Sequence, residues 1–490
     1  MGSKDRVETS YDRKKSSGEK ELLDVQIPSY LEISRLSLPI AGVQLATVAL
    51  TSTDVAMLGT LSVVAIGAGG LAMQFYNQIR TMCVGMVTAS GNKVAEAVAK
   101  LENAEARGAI DDSRRDVLKA GISKQVRVSF EVATVISALG AIIVALLGVS
   151  LFVLPVHGDT ARIAFGMTVA LAPGLVPMLW LNVLRQYAVG MRKPGSLLVV
   201  TLWSIAVNAA VNWLMVTVAP TTAWAVAGIG LSTTVVQVFT LVAFSLKIRK
   251  DPDLGDYVEF RPQTGDMTAA RELLRIGWPV SLTYGSEAAL TTIAGIAMSM
   301  VSPTMLAAHT VVNQIAYIVY QVCIGFSHGS SILVSRGLQA NHPRVVITET
   351  VRRVAILVGI YLGFIGLVWA TCGRWVVRIF AWKATDEVMT VAIILMFFAI
   401  LQQFAKGSQN VAVGLLRGLR DTSSGLKATL IGYWCVGIPA LFILGLGLRW
   451  EAYGVWLGLI LGFGTTTLLL MRVLRRRVRV LPATQNSSLG

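Results

Sequence analysis

Long apolar segments alternate with short polar segments over almost the whole chain. Each apolar segment contains the roughly 20 residues that an α-helix needs to cross the hydrocarbon core of a membrane. We therefore predict an all-α polytopic membrane protein. Its twelve transmembrane spans, numbered in chain order, are expected at about residues 36–58, 63–90, 126–154, 160–188, 196–218, 223–246, 277–300, 304–334, 352–377, 388–416, 424–447 and 452–472.

Basic residues are concentrated on one side of these spans. They occur in the N-terminal segment, in the connections that follow even-numbered spans, and after the last span. The connections on the other side contain few: Arg162, Arg374, Arg378, Lys383 and Arg449. Because Lys and Arg are retained on the cytoplasmic side, both termini are predicted to be cytoplasmic.

The second half of the chain repeats features of the first half at offsets near 230 residues. Arg35-x-x-x-Pro39 recurs as Arg275-x-x-x-Pro279, and Trp224-x-x-x-Gly228 recurs as Trp450-x-x-x-Gly454. The repetition predicts two pseudo-symmetric six-helix lobes in the same orientation. The expected divisions are a disordered cytoplasmic tail (1–30), an N-terminal lobe (31–246), a cytoplasmic connector (247–275), a C-terminal lobe (276–473) and a second cytoplasmic tail (474–490).

Composition supports a membrane protein and excludes several other classes. The chain is 54% hydrophobic and 14% charged, whereas soluble domains contain about 25% charged residues. The net charge of +15 comes from residues between apolar spans, so it indicates topology rather than nucleic-acid binding. The chain has no glycine-rich phosphate loop, and its four cysteines lack the spacing of a zinc site. We therefore expect no cofactor and no enzymatic activity.

One acidic residue, Asp54, interrupts the apolar stretch from residue 36 to 79, in which residues 59–70 supply a helix break. At a rise of ~1.5 Å per residue, Asp54 lies roughly 28 Å above Arg35. Asn208 and Asn212 in span 5 share one helix face at about the same depth. A carboxylate with two amide groups predicts a Na+ site or a switchable hydrogen-bonded carboxyl. The alternatives are a solvated Asp at a helix end and asparagines that only join neighbouring helices.

The second lobe contains an acidic and a basic residue at similar depths. Glu287 lies about 18 Å from Arg275, and Lys406 lies about 16 Å from Arg417. An unpaired charge of either sign is costly inside a membrane, so we predict that the two residues pair. The ammonium group would then take the place of a bound cation.

Polar and aromatic side chains at helical intervals predict a water-filled cavity. The candidate cavity or substrate residues are Gln78, Arg80, His309, Asn313, Tyr317, Gln402, Lys406 and Gln409. If Arg80 and Lys406 both face the cavity, they favour an anionic or zwitterionic cargo. The alternative is that both form structural ion pairs.

Five stretches occur in the order and spacing of one known family. They are Leu38-Pro39-Ile40 leading to Thr53-Asp54-Val55-Ala56-Met57-Leu58-Gly59; Gly277-Trp278-Pro279 leading to Ser286-Glu287-Ala288; Ala307-Ala308-His309 through Asn313-Gln314; Leu416-Arg417-Gly418-Leu419-Arg420-Asp421-Thr422; and Gly432-Tyr433-Trp434 through Gly437-Ile438-Pro439. The chain thereby resembles the multidrug and toxic compound extrusion (MATE) antiporters, particularly their NorM-like bacterial branch.

The resemblance implies an inner-membrane exporter that alternates between outward- and inward-facing states, driven by entry of Na+ or H+. It matches Asp54 to the first-span acid, and Asn208 with Asn212 to the fifth-span pair, of the first-lobe cation site. Glu287 matches the seventh-span acid. The sequence departs from the branch at Lys406, where an aspartate is usual, and at Gln402, where a tyrosine is usual.

The predicted function is ion-coupled export of small-molecule cargo, a drug or secondary metabolite, by a monomer surrounded by membrane lipids. The alternative is a flippase of a lipid-linked anionic precursor from the same wider superfamily. Arg80 and Lys406 favour the flippase, whereas twelve rather than about fourteen spans disfavour it. A membrane enzyme acting on lipid intermediates would need a His and acid cluster near one surface, which the short connections do not supply.

Overall fold

The computed structural model describes residues 27–106, 111–152, 158–193, 195–258, 266–380 and 385–482. Within these ranges the chain forms helices and no strands. Residues 1–26 of the predicted N-terminal tail, 483–490 of the predicted C-terminal tail and 259–265 of the predicted connector lie outside the described residues.

Twelve membrane-length helical segments follow one another within the described ranges, and each keeps the number of its predicted span. The helices of spans 1 to 6 are Tyr30–Leu61, Val63–Val87, Asp112–Ser150, Gly158–Leu171 continued by Leu175–Gly190, Gly195–Val218 and Thr222–Lys250. Those of spans 7 to 10 and 12 are Met267–Val301, Pro303–Gly337, Pro343–Phe380, Asp386–Gly418 and Glu451–Val480. Span 11 begins as Thr422–Thr429 and continues through two π-helical segments, Leu430–Gly437 and Ile443–Gly447. Ten of the twelve are long and apolar enough to cross a membrane; spans 2 and 7 are not among these ten.

Single serine residues separate the first two helices of each lobe. Ser62 lies between spans 1 and 2, and its hydroxyl accepts a hydrogen bond from the Ala65 amide at 3.0 Å. Ser302 lies between spans 7 and 8 and caps Met305 in the same way at 3.1 Å. The break predicted within residues 59–70 thus lies at Ser62, and the glycines at 67, 69 and 70 continue the helix of span 2. The serine N-cap begins this second helix.

The polar turns after spans 4 and 10 are also equivalent. Arg192 and Arg420 each adopt the left-handed backbone conformation, with φ of 60° and 62°. In each turn the following amide donates to a carbonyl five residues earlier, Lys193 to Ala188 and Asp421 to Leu416, at 2.8 Å. Identical turns at matching positions indicate that both halves follow one structural plan.

We call the side on which span 1 begins and span 12 ends the terminal face. Here spans 1 and 2 of the first lobe pack closely against spans 8 and 7 of the second. A Cβ atom at Gly85 would lie 2.6 Å from the Ser281 Cα, and one at Gly325 would lie 2.6 Å from the Ala41 Cβ. Glycine is required at these crossings because the two backbones nearly touch.

Polar contacts extend this closure outward along the terminal face. The segment Ser90–Ala106, which continues span 2, contributes Asn92, which donates to Ser331 at 2.8 Å and to Ser335 at 2.6 Å. Three ion pairs accompany it: Lys93 with Glu272, Glu96 with Arg420, and Glu102 with Arg336. Among hydrogen bonds between described residues, the deepest one joining the lobes runs from Gln78 to the Gly285 carbonyl, at 3.4 Å. The lobes are therefore joined at the terminal face.

Candidate functional site

Asp54 lies in a polar pocket inside the first lobe and is only 2% exposed. Its Oδ1 accepts hydrogen bonds from the Nδ2 atoms of Asn208 and Asn212, at 2.8 and 2.7 Å. Its Oδ2 accepts one from the Thr233 hydroxyl at 3.1 Å. Amide and hydroxyl donors thus satisfy both carboxylate oxygens between spans 1, 5 and 6.

Span 6 contributes two residues to this pocket that the sequence analysis did not identify. Besides Thr233, Ser232 donates to the Asn208 Oδ1 at 3.4 Å. Hydroxyl groups in membrane helices commonly bond their own backbone, as Thr233 also does to the Ile229 carbonyl, so their presence carries little information. The available signal was depth, because Thr233 lies about 25 Å from Lys250, near the depth of Asp54.

Glu287 and Lys406 form an ion pair inside the second lobe. The Lys406 Nζ lies 3.3 Å from the Glu287 Oε1, and the side chains are 9% and 14% exposed. The ammonium also lies 4.2 Å from the ring centroid of Tyr320 and 5.3 Å from that of Phe463. A carboxylate and two aromatic faces thus lie next to the lysine ammonium and compensate its charge in a largely buried position.

Several polar side chains of spans 8, 10 and 11 are buried within the second lobe. Tyr433 donates to the Gln409 Oε1 at 2.7 Å, and Asn410 donates to the Tyr320 hydroxyl at 2.6 Å. Gln402 is 2% exposed. His309 is buried and packs edge-on against Trp456, with ring centroids 5.6 Å apart. These residues form an internal polar layer of the second lobe.

A cavity of about 140 Å³ lies between the lobes, next to the closed terminal face. Spans 1, 2, 4, 5 and 6 of the first lobe and span 8 of the second line it. Its principal polar side chains are Gln44, Arg80, Arg185, Tyr317, Gln321 and His328. Arg80 and Tyr317 had been proposed from sequence, whereas Arg185 had not. An arginine inside the apolar span 4 was the overlooked signal.

The residues that line this cavity differ from the predicted set in three respects. Arg80 and Lys406 do not share it, because Lys406 is held by Glu287 within the second lobe. The predicted residues of span 8 have different surroundings: Tyr317 lines the cavity, as does Gln321 one turn further on, while His309 is buried against Trp456. Gln78, Asn313, Gln402 and Gln409 are likewise not among the cavity-lining residues. Gln78 instead joins the lobes through the Gly285 carbonyl.

Two repeated lobes of membrane-spanning helices, each with a buried carboxylate, and a cavity between them define a polytopic membrane transporter. The MatE family model matches residues 279–443. A Pseudomonas aeruginosa protein named probable multidrug resistance protein NorM is 30% identical over 443 residues, covering 88% of this chain and 87% of that protein. A protein of the same name from Brucella suis is 28% identical over 452 residues, covering 91% and 92%.

The fold agrees with these relatives. A solved structure described as the outward-facing conformation of a multidrug resistance MATE family transporter of the MOP superfamily superposes with a TM-score of 0.79. It is 14% identical, and the match covers 94% of this chain and 97% of that one. The chain belongs to the MATE family. Its predicted fold class, all-α with twelve membrane helices in two six-helix lobes, is confirmed.

Proposed function

We propose that this protein exports small amphipathic molecules, drugs or secondary metabolites, across the cytoplasmic membrane in exchange for H+ or Na+. The observation that carries the proposal is the Asp54 carboxylate, buried with three hydrogen-bond donors at a depth where an ionisable group is costly. The names of the relatives, multidrug resistance proteins, support the cargo class. Members of this family are transporters rather than enzymes and need no cofactor.

Cation binding would change how the Asp54 pocket is bonded. All three contacts donate to the carboxylate, so a proton on the Asp54 Oδ2 would reverse one of them: the carboxyl would donate to the Thr233 hydroxyl, which would then donate to the Ile229 carbonyl alone. A Na+ ion needs oxygen ligands, so the amides of Asn208 and Asn212 would have to turn their oxygens inward. The Asn212 Oδ1 is buried without a partner among the described residues and is available for this. Either ion therefore favours a different packing of spans 1, 5 and 6.

The same three spans connect the pocket to the cavity. Thr51 of span 1, Thr201 of span 5 and Thr240 of span 6 line the space between the lobes. A change in the packing of these helices at Asp54 would therefore reshape the cargo cavity. Cation entry and cargo release become linked because each favours the same arrangement of the first lobe.

In the second lobe, we propose that Lys406 acts as a covalently attached cation for Glu287. The ammonium occupies the position next to the carboxylate that a free ion would need. Coupling would then depend on Asp54 alone. Gln402 and Gln409 would support this lobe, and His309, packed against Trp456, would have a structural role.

We propose that the terminal face is cytoplasmic, with both termini inside the cell, in a monomer with the lobe boundaries predicted from sequence. Positive charge supports this orientation: span 12 ends with Arg475, Arg476, Arg477 and Arg479, which suit anionic headgroups. The closed terminal face would then correspond to an outward-facing state. A flippase of a lipid-linked anionic precursor is the second candidate, because arginines line the cavity.

The test is dye transport into everted membrane vesicles with Na+ and pH gradients imposed separately. Wild type is expected to respond to at least one gradient. Asp54→Asn should reduce gradient-driven uptake to the level of vesicles without the transporter. The matched control is Asp386→Asn, which removes a carboxylate from an exposed position at the start of span 10. Wild-type rates in Asp54→Asn would remove Asp54 from the mechanism.

A further inference from the structure

The cavity between the lobes contains fixed positive charge and no carboxylate. Arg80 and Arg185 line it together with His328, and no Asp or Glu is among its lining residues in the described chain. Asp54 is not one of these lining residues, because its carboxylate is hydrogen-bonded to spans 5 and 6 inside the first lobe. The two guanidinium groups therefore dominate the charge of the cavity.

Neutral groups are the hydrogen-bond partners of both arginines. The Arg185 Nη1 donates to the Gln44 Oε1 at 3.3 Å, and its Nε is buried without a partner among the described residues. The Arg80 Nε donates to the Asn77 Oδ1 at 3.1 Å. Neither arginine takes part in an ion pair between described residues. Amide oxygens orient a guanidinium but do not neutralise it.

Several other cationic groups have acidic partners within the protein. Lys406 has Glu287, and Arg336 and Arg420 on the terminal face have glutamate partners. Arg417, at the end of span 10, is enclosed by protein and donates to the hydroxyls of Ser331 and Tyr284. The two cavity arginines have no acidic partner at membrane depth, where an uncompensated charge is costly, and they face an open space. An anionic ligand in that space would supply the counter-charge.

We propose that Arg80 and Arg185 bind the anionic group of the cargo, so that the substrates are amphipathic organic anions. The inference rests on the proposed function and deepens it by assigning the charge of the cargo. Guanidinium groups bind carboxylate, sulfonate and phosphate oxygens through paired N–H donors. Met178, Leu181 and Val236 line the same cavity and provide apolar surface for the rest of the molecule.

The binding test uses purified protein and fluorescence anisotropy of carboxyfluorescein, an organic anion, with ethidium as the cationic probe. Wild type is expected to bind carboxyfluorescein more tightly than ethidium. Arg185→Gln and Arg80→Gln should each weaken carboxyfluorescein binding roughly tenfold or more, the usual effect of losing a charged hydrogen-bond partner. Arg185→Lys, which keeps the charge, should weaken it less. Arg374→Gln is the matched control, because it removes an exposed arginine far from the cavity.

Two further measurements make the result decisive. Each variant is accepted only if it elutes as wild type on size exclusion. Competition by a water-soluble short-chain phosphatidic acid or by benzoate then distinguishes a lipid-borne anion from a free one. The inference is overturned if wild type prefers ethidium, or if both glutamine variants bind carboxyfluorescein as wild type does. The proposed function is judged separately, by gradient-driven uptake in wild type and Asp54→Asn.

Discussion

Lys406 and Glu287 form an ion pair at membrane depth in the second lobe. At 3.3 Å, with both side chains largely buried, each charge is compensated mainly by the other. Removing one partner from such a pair leaves an isolated buried charge, which typically costs about 3–5 kcal/mol. The lysine therefore compensates the Glu287 charge with a group of the protein itself.

Lys406→Ala should open a cation position next to Glu287. We expect a lower melting temperature in detergent, with part of the loss recovered when Na+ replaces a bulky organic cation, because Na+ can take the place of the ammonium. The double variant Lys406→Met with Glu287→Gln is the control: it removes both charges, so its stability should be closer to wild type and insensitive to Na+. If Lys406→Ala matches wild type in transport and ion dependence, the attached-cation hypothesis fails.

The residues that could be predicted from the sequence were those whose type is rare in a membrane. Asp54, Asn208 and Asn212 stood out because acids and amides are uncommon in apolar helices, and helical rise gave their common depth. Thr233 has a matching depth, but threonine is ordinary in membrane helices, so its type did not mark it. Arg185 is of a rare type and was overlooked, and neither depth nor spacing would have shown which way a side chain on span 4 faces.

The helix pairs that close the terminal face depend on glycine. Spans 2 and 7 meet where a Cβ at Gly85 would lie 2.6 Å from the Ser281 Cα. Backbone atoms cannot move aside as a flexible side chain can, so one added methyl group must push the two helices apart. Overpacking of this kind destabilises the closed packing by about 1–3 kcal/mol. The outward-facing state would bear that cost, while a state with separated helices would not.

Gly85→Ala should therefore shift the protein towards a state that is open at the terminal face. The readout is the reaction of an introduced cysteine, Ser335→Cys, with a membrane-impermeant maleimide in everted vesicles; this position contacts Asn92 when the face is closed. We expect a severalfold faster reaction in Gly85→Ala. Gly363→Ala is the control, since a Cβ there would meet nothing within 4 Å. An unchanged rate would show that the crossing does not set this equilibrium.

Two ion pairs on the same face, Lys93 with Glu272 and Lys124 with Asp266, should not respond to pH in the physiological range. Lys93 lowers the pKa of Glu272, and Lys124 lowers the pKa of Asp266. A lowered carboxyl pKa stabilises the paired state above the ordinary value of about 4, and that contribution is lost as pH falls through the lowered pKa. At pH 6 to 8 both acids stay ionised. Any pH dependence of transport in that interval has to come from another group.

At the element level, the duplication was visible in sequence, but the helix ends were not. The Arg-x-x-x-Pro motifs located equivalent spans, and Ser62 and Ser302 turn out to separate helices at the same offset. The glycines within residues 59–70 indicated a helix break, because glycine destabilises helices in water. Membrane helices tolerate glycine, and the boundary between spans 1 and 2 lies at the capping serine, Ser62.

For the whole molecule, hydropathy and internal repetition were enough to predict the architecture, but they did not predict which face of the transporter is closed. Twelve apolar segments and a matched pair of halves leave few alternatives to two six-helix lobes. Which face is closed depends on a balance between two packings of the same helices, which differ by a few kcal/mol. The closed face depends on contacts such as Asn92 with Ser335, which join residues far apart in sequence and which no local sequence pattern predicts.

The charge of the cargo has a consequence for the energetics of the complete cycle. An anion that leaves and a Na+ or H+ that enters each add one positive charge to the cell interior, so the exchange moves at least two charges per cycle. Each charge contributes about 2.3 kcal/mol per 100 mV of membrane potential. A potential of 100 mV, negative inside, could then support a cargo gradient roughly a thousandfold larger than the ion gradient alone. Exchange of a monovalent cationic cargo for one H+ moves no net charge and gains nothing from the potential.

Membrane potential therefore tests the cavity and the coupling site together. In everted vesicles, a lumen-positive potential imposed with K+ and valinomycin should accelerate carboxyfluorescein uptake at constant Na+ and pH gradients. Vesicles with Asp54→Asn give the leak that must be subtracted, because potential also drives passive anion movement. Transport that is fully blocked by Asp54→Asn yet indifferent to the potential would mean that cargo and ion charges cancel. The arginines of the cavity would then compensate charge within the protein rather than on the substrate.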